Sequence, residues 1–427
     1  MGILTSITKI AAAAKVVVTA RYFGASDDLD AFLIAFLLPQ FVVETVTGTF
    51  TTSLVPRLIR SRSSQDQQVG TIAQASLALV LGAMSALMVL LALTARWLLP
   101  LLGSSFSSSK LDLTFVLFLS MLIWLPISAC SATWRAVLNA HGRLAMATAV
   151  YMASPVITML FLAGGAARWG VWVLAVANMS GALLEFVALA VGIRRLGYSL
   201  RPSWLGWTPD MRALLAQYWP LLAGTTITAG CALVDQAVAG ALGSGSVAAL
   251  SYGVKVAGVL IAVGGTGMAT AVLPEFSRLV SQGRWDALRH ALRLHVGVAM
   301  AVMIPVTVLL MWGSAQVVRV IYQGGQFDAT AAAVVSQVQW FSLLMVPFAV
   351  VLLIAQRLST ALGASGLILR AGFVAMLVNV TGDWLLPRWF GVGGVGLASA
   401  LGHIVFMAGL VALLYLKEPR LFRTVKP

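Results

Sequence analysis

Residues 72–98 read IAQASLALVLGAMSALMVLLALTARWL, with Arg96 the one charged side chain. At about 1.5 Å of rise per helical residue, this run outreaches the roughly 30 Å hydrocarbon core of a bilayer. Outward from it, similar apolar runs separated by turn residues place helices at 3–23, 29–56, 72–98, 112–138, 144–165, 170–193, 213–239, 246–275, 290–312, 330–361, 367–386 and 393–416. The fold class is therefore an all-α polytopic membrane protein of about twelve transmembrane helices.

Composition agrees. The 427 residues are 60% hydrophobic and 10% charged, against roughly 25% charged in soluble domains. A formal charge of +14 raises nucleic acid as a partner, but that needs a basic face in water, and here the basic residues only punctuate apolar runs. Cys130 and Cys231 fall inside such runs, where a thiol is an inert small hydrophobe, so no disulfide is expected. Residues 1–24 resemble a secretion signal, yet Lys15 interrupts the apolar stretch, which predicts a retained first helix.

Basic residues gather in alternate connections: Arg57, Arg60 and Arg62; Arg135 and Arg143; Arg194, Arg195, Arg201 and Arg212; Arg278, Arg284, Arg289 and Arg293; Arg357 and Arg370; and the tail with Lys417, Arg420, Arg423 and Lys426. The other connections hold Arg96, Lys110, Arg168, Arg319 and Arg388, together with Asp27, Asp28 and Asp30. By the positive-inside rule both termini lie in the cytoplasm.

The halves repeat. Leu54-Val55-Pro56 returns as Val272-Leu273-Pro274, Phe23-Gly24 as Leu242-Gly243, Trp124-Leu125-Pro126 as Met345-Val346-Pro347, and Asn139-Ala140-His141-Gly142 as Thr360-Ala361-Leu362-Gly363, each about 220 residues on. Six spans per copy give both copies the same orientation, an arrangement in which transporters hold substrate between halves and rock one against the other. The expected organisation is an N-terminal lobe 1–197, a cytoplasmic linker 198–212 rich in Arg, Gly and Pro, and a C-terminal lobe 213–427.

Charges inside spans cost about 3 kcal/mol each on insertion scales and turn toward a cavity or a partner. Lys15 and Lys255 stand mid-span in different halves, and together they suit a phosphate or diphosphate in one cationic cavity. Arg21 and Asp30 flank the first outer loop and are expected to pair, as a gate or as a surface salt bridge. Asn379 and Asp383 share a helix face. With Asp235, Ser399 and the Val395 carbonyl they are hard oxygen donors suited to a small cation, or they hydrogen-bond between packed helices. Glu44 and Glu185 are further intramembrane acids. No enzymatic constellation occurs: His141, His290, His295 and His403 are scattered, and the glycine-rich runs at 264–267 and 391–396 lack a phosphate-loop Lys-Ser/Thr, which leaves helix packing as their role.

These residues resemble a known family. Ala20-Arg21-Tyr22-Phe23-Gly24, Asp30-Ala31-Phe32, Leu38-Pro39 and Gly48-x-Phe50 leading to Val55-Pro56, then Gly245-Ser246-Val247, Leu250-Ser251-Tyr252, Leu273-Pro274 and Tyr322-Gln323-Gly324-Gly325-Gln326-Phe327, are similar to the MurJ/MviN lipid II flippases of the MOP (multidrug/oligosaccharidyl-lipid/polysaccharide) exporter superfamily. The resemblance implies a MATE-like, V-shaped pair of lobes in a short, twelve-helix member, where the family typically has fourteen. It implies outward flipping of an undecaprenyl-diphosphate glycan in the bacterial inner membrane, by a monomer. Lys15 and Lys255 fall on cavity arginines of the family, and Arg21 and Asp30 match directly. Near residue 43, where the family carries another arginine, Val43-Glu44 stands. A sodium site between the seventh, eleventh and twelfth spans would carry over to Asp235, Asn379, Asp383, Val395 and Ser399, with Na+ as coupling or structural ion. The alternatives are a MATE-type cation antiporter using Glu44 and Glu185, an exporter of another polyprenyl-linked saccharide, and a non-transporting envelope scaffold.

Overall fold

The computed structural model describes the backbone of residues 2–62, 66–204 and 206–421, and the side chains of 11–61, 69–143, 154–204, 206–227, 229–265 and 272–421. Arg62, Arg423 and Lys426 of the charge pattern lie outside the described side chains. By contacts the chain divides into two compact units, Met1–Gly245 and Ser246–Pro427.

The first unit comprises α1 (Gly2–Phe23), α2 (Asp27–Val42), a π-helical turn (Val43–Thr47), α3 (Gly48–Arg62), α4 (Asp66–Leu102), α5 (Ser108–Met121), α6 (Trp124–Ala140), α7 (Leu144–Trp169), α8 (Trp172–Arg195) and α9 (Pro209–Ala241). Local chemistry sets the starts. Ser26 Oγ accepts from Leu29 N at 3.3 Å, with Asp27, Asp28 and Asp30 in the first turn of α2, where carboxylates complement the helix dipole. Thr208 caps α9 and Pro209 occupies its first position, a place where the missing N–H costs nothing. α2 packs on α5, α4 on α6 and α1 on α7, while α9 lies against α2, α3 and α4. At their closest point α7 and α8 leave no room for a side chain: a Cβ on Gly181 would come within 2.8 Å of Ser154 Oγ.

The second unit comprises α10 (Ser246–Leu260), a second π-helical turn (Ile261–Gly265), α11 (Thr266–Ser281), α12 (Trp285–Trp312), α13 (Ser314–Tyr322), α14 (Ala329–Leu343), α15 (Met345–Ala361), α16 (Ser365–Leu385), α17 (Pro387–Phe390) and α18 (Val392–Lys417). α18 packs on α14, α15 and α16. The glycine runs serve packing. A Cβ on Gly264 would collide with Met303 Cε, one on Gly394 would come within 2.5 Å of the Leu386 carbonyl carbon, and one on Gly396 within 2.8 Å of Ser342 Oγ.

Each apolar run of the sequence is helical, and the order helix, π turn, helix, long helix that begins with α2 returns from α10. The runs at 112–138 and 330–361 differ from the single helices expected: each breaks, at Leu122–Ile123 and at Leu344. Pro126 and Pro347 sit three residues into the following helices. Their rings clash with the carbonyl four residues earlier and supply no N–H, so the break falls just before each. Among the described residues, ten helical rods are long and apolar enough to cross a membrane. They expose large apolar side chains along their length, such as Leu93 on α4 and Leu309 on α12, a surface suited to lipid.

Candidate functional site

In the first unit, α1 carries Lys15 in an apolar stretch. Lys15 Nζ donates to Asn178 Oδ1 on α8 at 3.0 Å, and one turn on Thr19 Oγ1 donates back to the Lys15 carbonyl at 2.9 Å. The neutral amide orients the ammonium without itself cancelling its charge.

Glu185, also on α8, forms an ion pair with Arg135 of α6, near the Trp134 and Phe186 rings, which meet at a tilt with centroids 4.9 Å apart. Arg135, assigned from the sequence to an inner connection, is thus an intrahelical cation with its counter-ion one helix away. Glu44 lies exposed on the first π turn, its Oε1 accepting from Gln40 Nε2 at 2.8 Å. The carbonyls there find hydroxyl donors: Thr45 Oγ1 to Phe41 O and Thr47 Oγ1 to Val43 O, both at 2.6 Å, and Tyr218 OH of α9 to Val46 O at 3.3 Å.

Asp30 differs from expectation. Its carboxylate is 0% exposed, and Oδ2 accepts from the Gly245 backbone N–H at 2.7 Å and from Lys110 Nζ at 3.2 Å. Lys110 also pairs with Asp27 and lies 3.9 Å over the Phe106 ring. Arg21, the partner expected from sequence, is exposed and forms no ion pair with Asp30. The reason is packing: α5 lies along α2, which brings Lys110 of its first turn onto the buried acid. Gly245 has φ +75, and a Cβ there would come within 2.5 Å of the Ala25 carbonyl oxygen, so both conformation and space demand glycine.

In the second unit Lys255 is exposed on α10, shortly before the second π turn. Asn379 and Asp383 of α16 are 3% and 1% exposed, and Val395 of α18 is fully buried. Ser399 is half-buried on α18, its carbonyl 2.9 Å from His403 Nδ1. The two helices approach closely, since a Cβ on Gly382 would lie 2.9 Å from Ala398 Cβ and one on Gly402 3.2 Å from Asn379 Cβ. A buried carboxylate, an amide, a hydroxyl and backbone carbonyls fit an alkali cation. A transition metal would want imidazole or thiolate, and no group of three His, Cys, Asp or Glu suited to a metal occurs among the described residues. Asp235, the remaining member of that set, is on α9 in the first unit.

Comparison with known proteins places these features. A protein of Vibrio cholerae described as a probable lipid II flippase MurJ is 23% identical, over 97% of this chain and 81% of its own. The fold is similar to that of a lipid II flippase MurJ solved in an inward closed conformation, with a TM-score of 0.84 at 19% identity over 97% of this chain and 87% of that one. It is similar too to an inward-facing multidrug resistance transporter of the MATE family in the MOP superfamily, with a TM-score of 0.83 at 14% identity over 98% and 96%. The family model described as lipid II flippase MurJ matches residues 19–424, which takes in every element from the end of α1 onward, and the chain belongs to that family.

Proposed function

We propose that this multi-pass inner-membrane protein flips a polyprenyl-diphosphate-linked glycan, lipid II or a close relative, outward by alternating access. The observation that carries the reading is the Lys15 ammonium, held within α1 by Asn178 of α8. An intramembrane lysine costs about 3 kcal/mol to insert, and a diphosphate is a ligand that recovers that cost through charge-assisted hydrogen bonds. Lys255 supplies a second cation on α10. Both termini lie in the cytoplasm on the distribution of arginine and lysine, and the protein acts as a monomer. A small cation, sodium first, binds at Asn379, Asp383, Ser399 and the Val395 carbonyl.

The antiporter alternative needs intramembrane acids able to exchange a proton for an organic cation. Glu185 is already balanced by Arg135, which favours the anionic-lipid reading. The test is flipping of a labelled polyprenyl-diphosphate sugar in proteoliposomes. Loss of transport in Lys15→Ala with retention in Lys15→Arg is the expected result. Undiminished transport by the Lys15→Ala, Lys255→Ala double variant would refute the mechanism.

A further inference from the structure

Helices α16 and α18 run antiparallel, for Gly382 faces Ala398 near one end of the pair and Ala371 lies 3.7 Å from a Cβ built on Gly409 toward the other. The first turns of α16 therefore stand beside the last turns of α18. Between them opens a groove of about 600 Å³ whose lining includes Gly366, Leu367 and Arg370 from α16 and Leu413, Leu416 and Lys417 from α18. A Cβ on Gly366 would meet nothing within 4 Å, so its missing side chain helps keep the groove open. Leu416 is 73% exposed.

The charges of this groove are unbalanced. Arg370 and Lys417 are both exposed, and neither forms an ion pair among the described residues. Two cations at the end of a pair of membrane helices, with leucines continuing along the same helices, match one class of ligand: an anionic head with acyl chains attached. A guanidinium gives a phosphodiester two parallel donors and the ammonium a point charge, while Leu413 and Leu416 offer apolar surface for a chain. A soluble anion would leave those leucines unused. A zwitterionic lipid would gain no net attraction from the pair.

We propose that this groove is a binding site for an anionic phospholipid of the phosphatidylglycerol type, its phosphate between Arg370 and Lys417 and an acyl chain along the α18 leucines. The site is separate from Lys15, and its occupancy does not require flipping.

The experiment is native mass spectrometry of the full chain released from nanodiscs containing equal phosphatidylglycerol and phosphatidylcholine. Wild type should retain phosphatidylglycerol preferentially, and the preference should fall about fivefold for each cation removed, in Arg370→Ala, in Lys417→Ala and further in the double variant, as expected of about 1 kcal/mol per basic residue at a lipid surface. Gly366→Leu fills the groove without touching its charge and should lower retention of the same lipid. Arg388→Ala, a cation stacked on Trp384 at 4.2 Å outside the groove, should leave the preference unchanged. An unaltered preference in the double variant, or an equal fall in Arg388→Ala, overturns the site. Glycerol phosphate competing as well as the intact lipid overturns the lipid assignment. Should the double variant fail to fold, the single variants and Gly366→Leu decide by the same criterion.

Discussion

Asp30 Oδ2 accepts a 2.7 Å hydrogen bond from the backbone N–H of Gly245, tying the first turn of α2 to the segment that follows α9. The carboxylate is fully buried and shares Lys110 with Asp27. Removing one member of such a buried pair leaves an uncompensated charge and costs about 3–5 kcal/mol. Lys110→Ala should therefore lower the thermal unfolding temperature in detergent more than Asp27→Ala does. Lys110→Met combined with Asp30→Asn should recover much of the loss, because the amide still accepts from Gly245. Equal stability of wild type and Lys110→Ala would deny the pair this role.

Gly245 itself is doubly constrained, by φ +75 and by the Ala25 carbonyl oxygen 2.5 Å from a built Cβ. Gly245→Ala should destabilise by roughly 1–3 kcal/mol, the cost of holding an ordinary residue in a sparsely populated backbone region. Gly243→Ala is the informative control, since its φ is +115 yet a Cβ there meets nothing within 4 Å. Unfolding curves of the two variants should therefore separate.

Lys15→Ala should reduce flipping by about tenfold to a hundredfold, the rate equivalent of losing a hydrogen bond to a charged group worth about 1.5–3 kcal/mol. Asn178→Ala should have a smaller effect, because the ammonium keeps its charge and loses only its orientation. Lys15→Glu should abolish transport. Measured initial rates that rank Asn178→Ala below Lys15→Ala would contradict Asn178 as the positioning group.

Arg135 and Glu185 should behave as a unit. Either alanine replacement alone should destabilise, and a double-mutant cycle with Arg135→Gln and Glu185→Gln should return a coupling within the 0.5–3 kcal/mol typical of contacting residues. Flipping by the double variant should stay near wild type. Transport that depends on the Glu185 carboxylate irrespective of Arg135 would instead support cation exchange.

Sodium should raise the unfolding temperature, by a stabilisation of about 2.7 kcal/mol at a hundredfold excess over the dissociation constant, while choline at equal ionic strength should not. Asp383→Ala should abolish the difference. An equal sodium response in wild type and Asp383→Ala would remove the cation from α16.

The helices were legible because each had to satisfy a bilayer, which imposes a length and an apolarity on the sequence itself. Positions such as Lys15 and Asp383 stood out for the same reason, as charges where a charge is expensive. Their partners did not. Lys110 reaches Asp30 only because α5 packs along α2, and Arg135 meets Glu185 across a helix pair; sequence spacing carries neither relationship. The breaks before Pro126 and Pro347 were open to a stricter reading of proline. The π turns were not, since Val43–Thr47 contains no residue that rules out an α-helix.

Those two widened turns carry a consequence for the chain's history. A π turn is an α-helix with one residue too many, which swings every later side chain around the axis by about 100°. Val43–Thr47 and Ile261–Gly265 stand apart by the same offset as Pro56 and Pro274, so the extra residue occupies one position in both copies. Inheritance accounts for it more simply than two separate insertions. On that account a six-helix ancestor would have carried the bulge before it was doubled, and in the first copy threonine hydroxyls now meet the carbonyls around it.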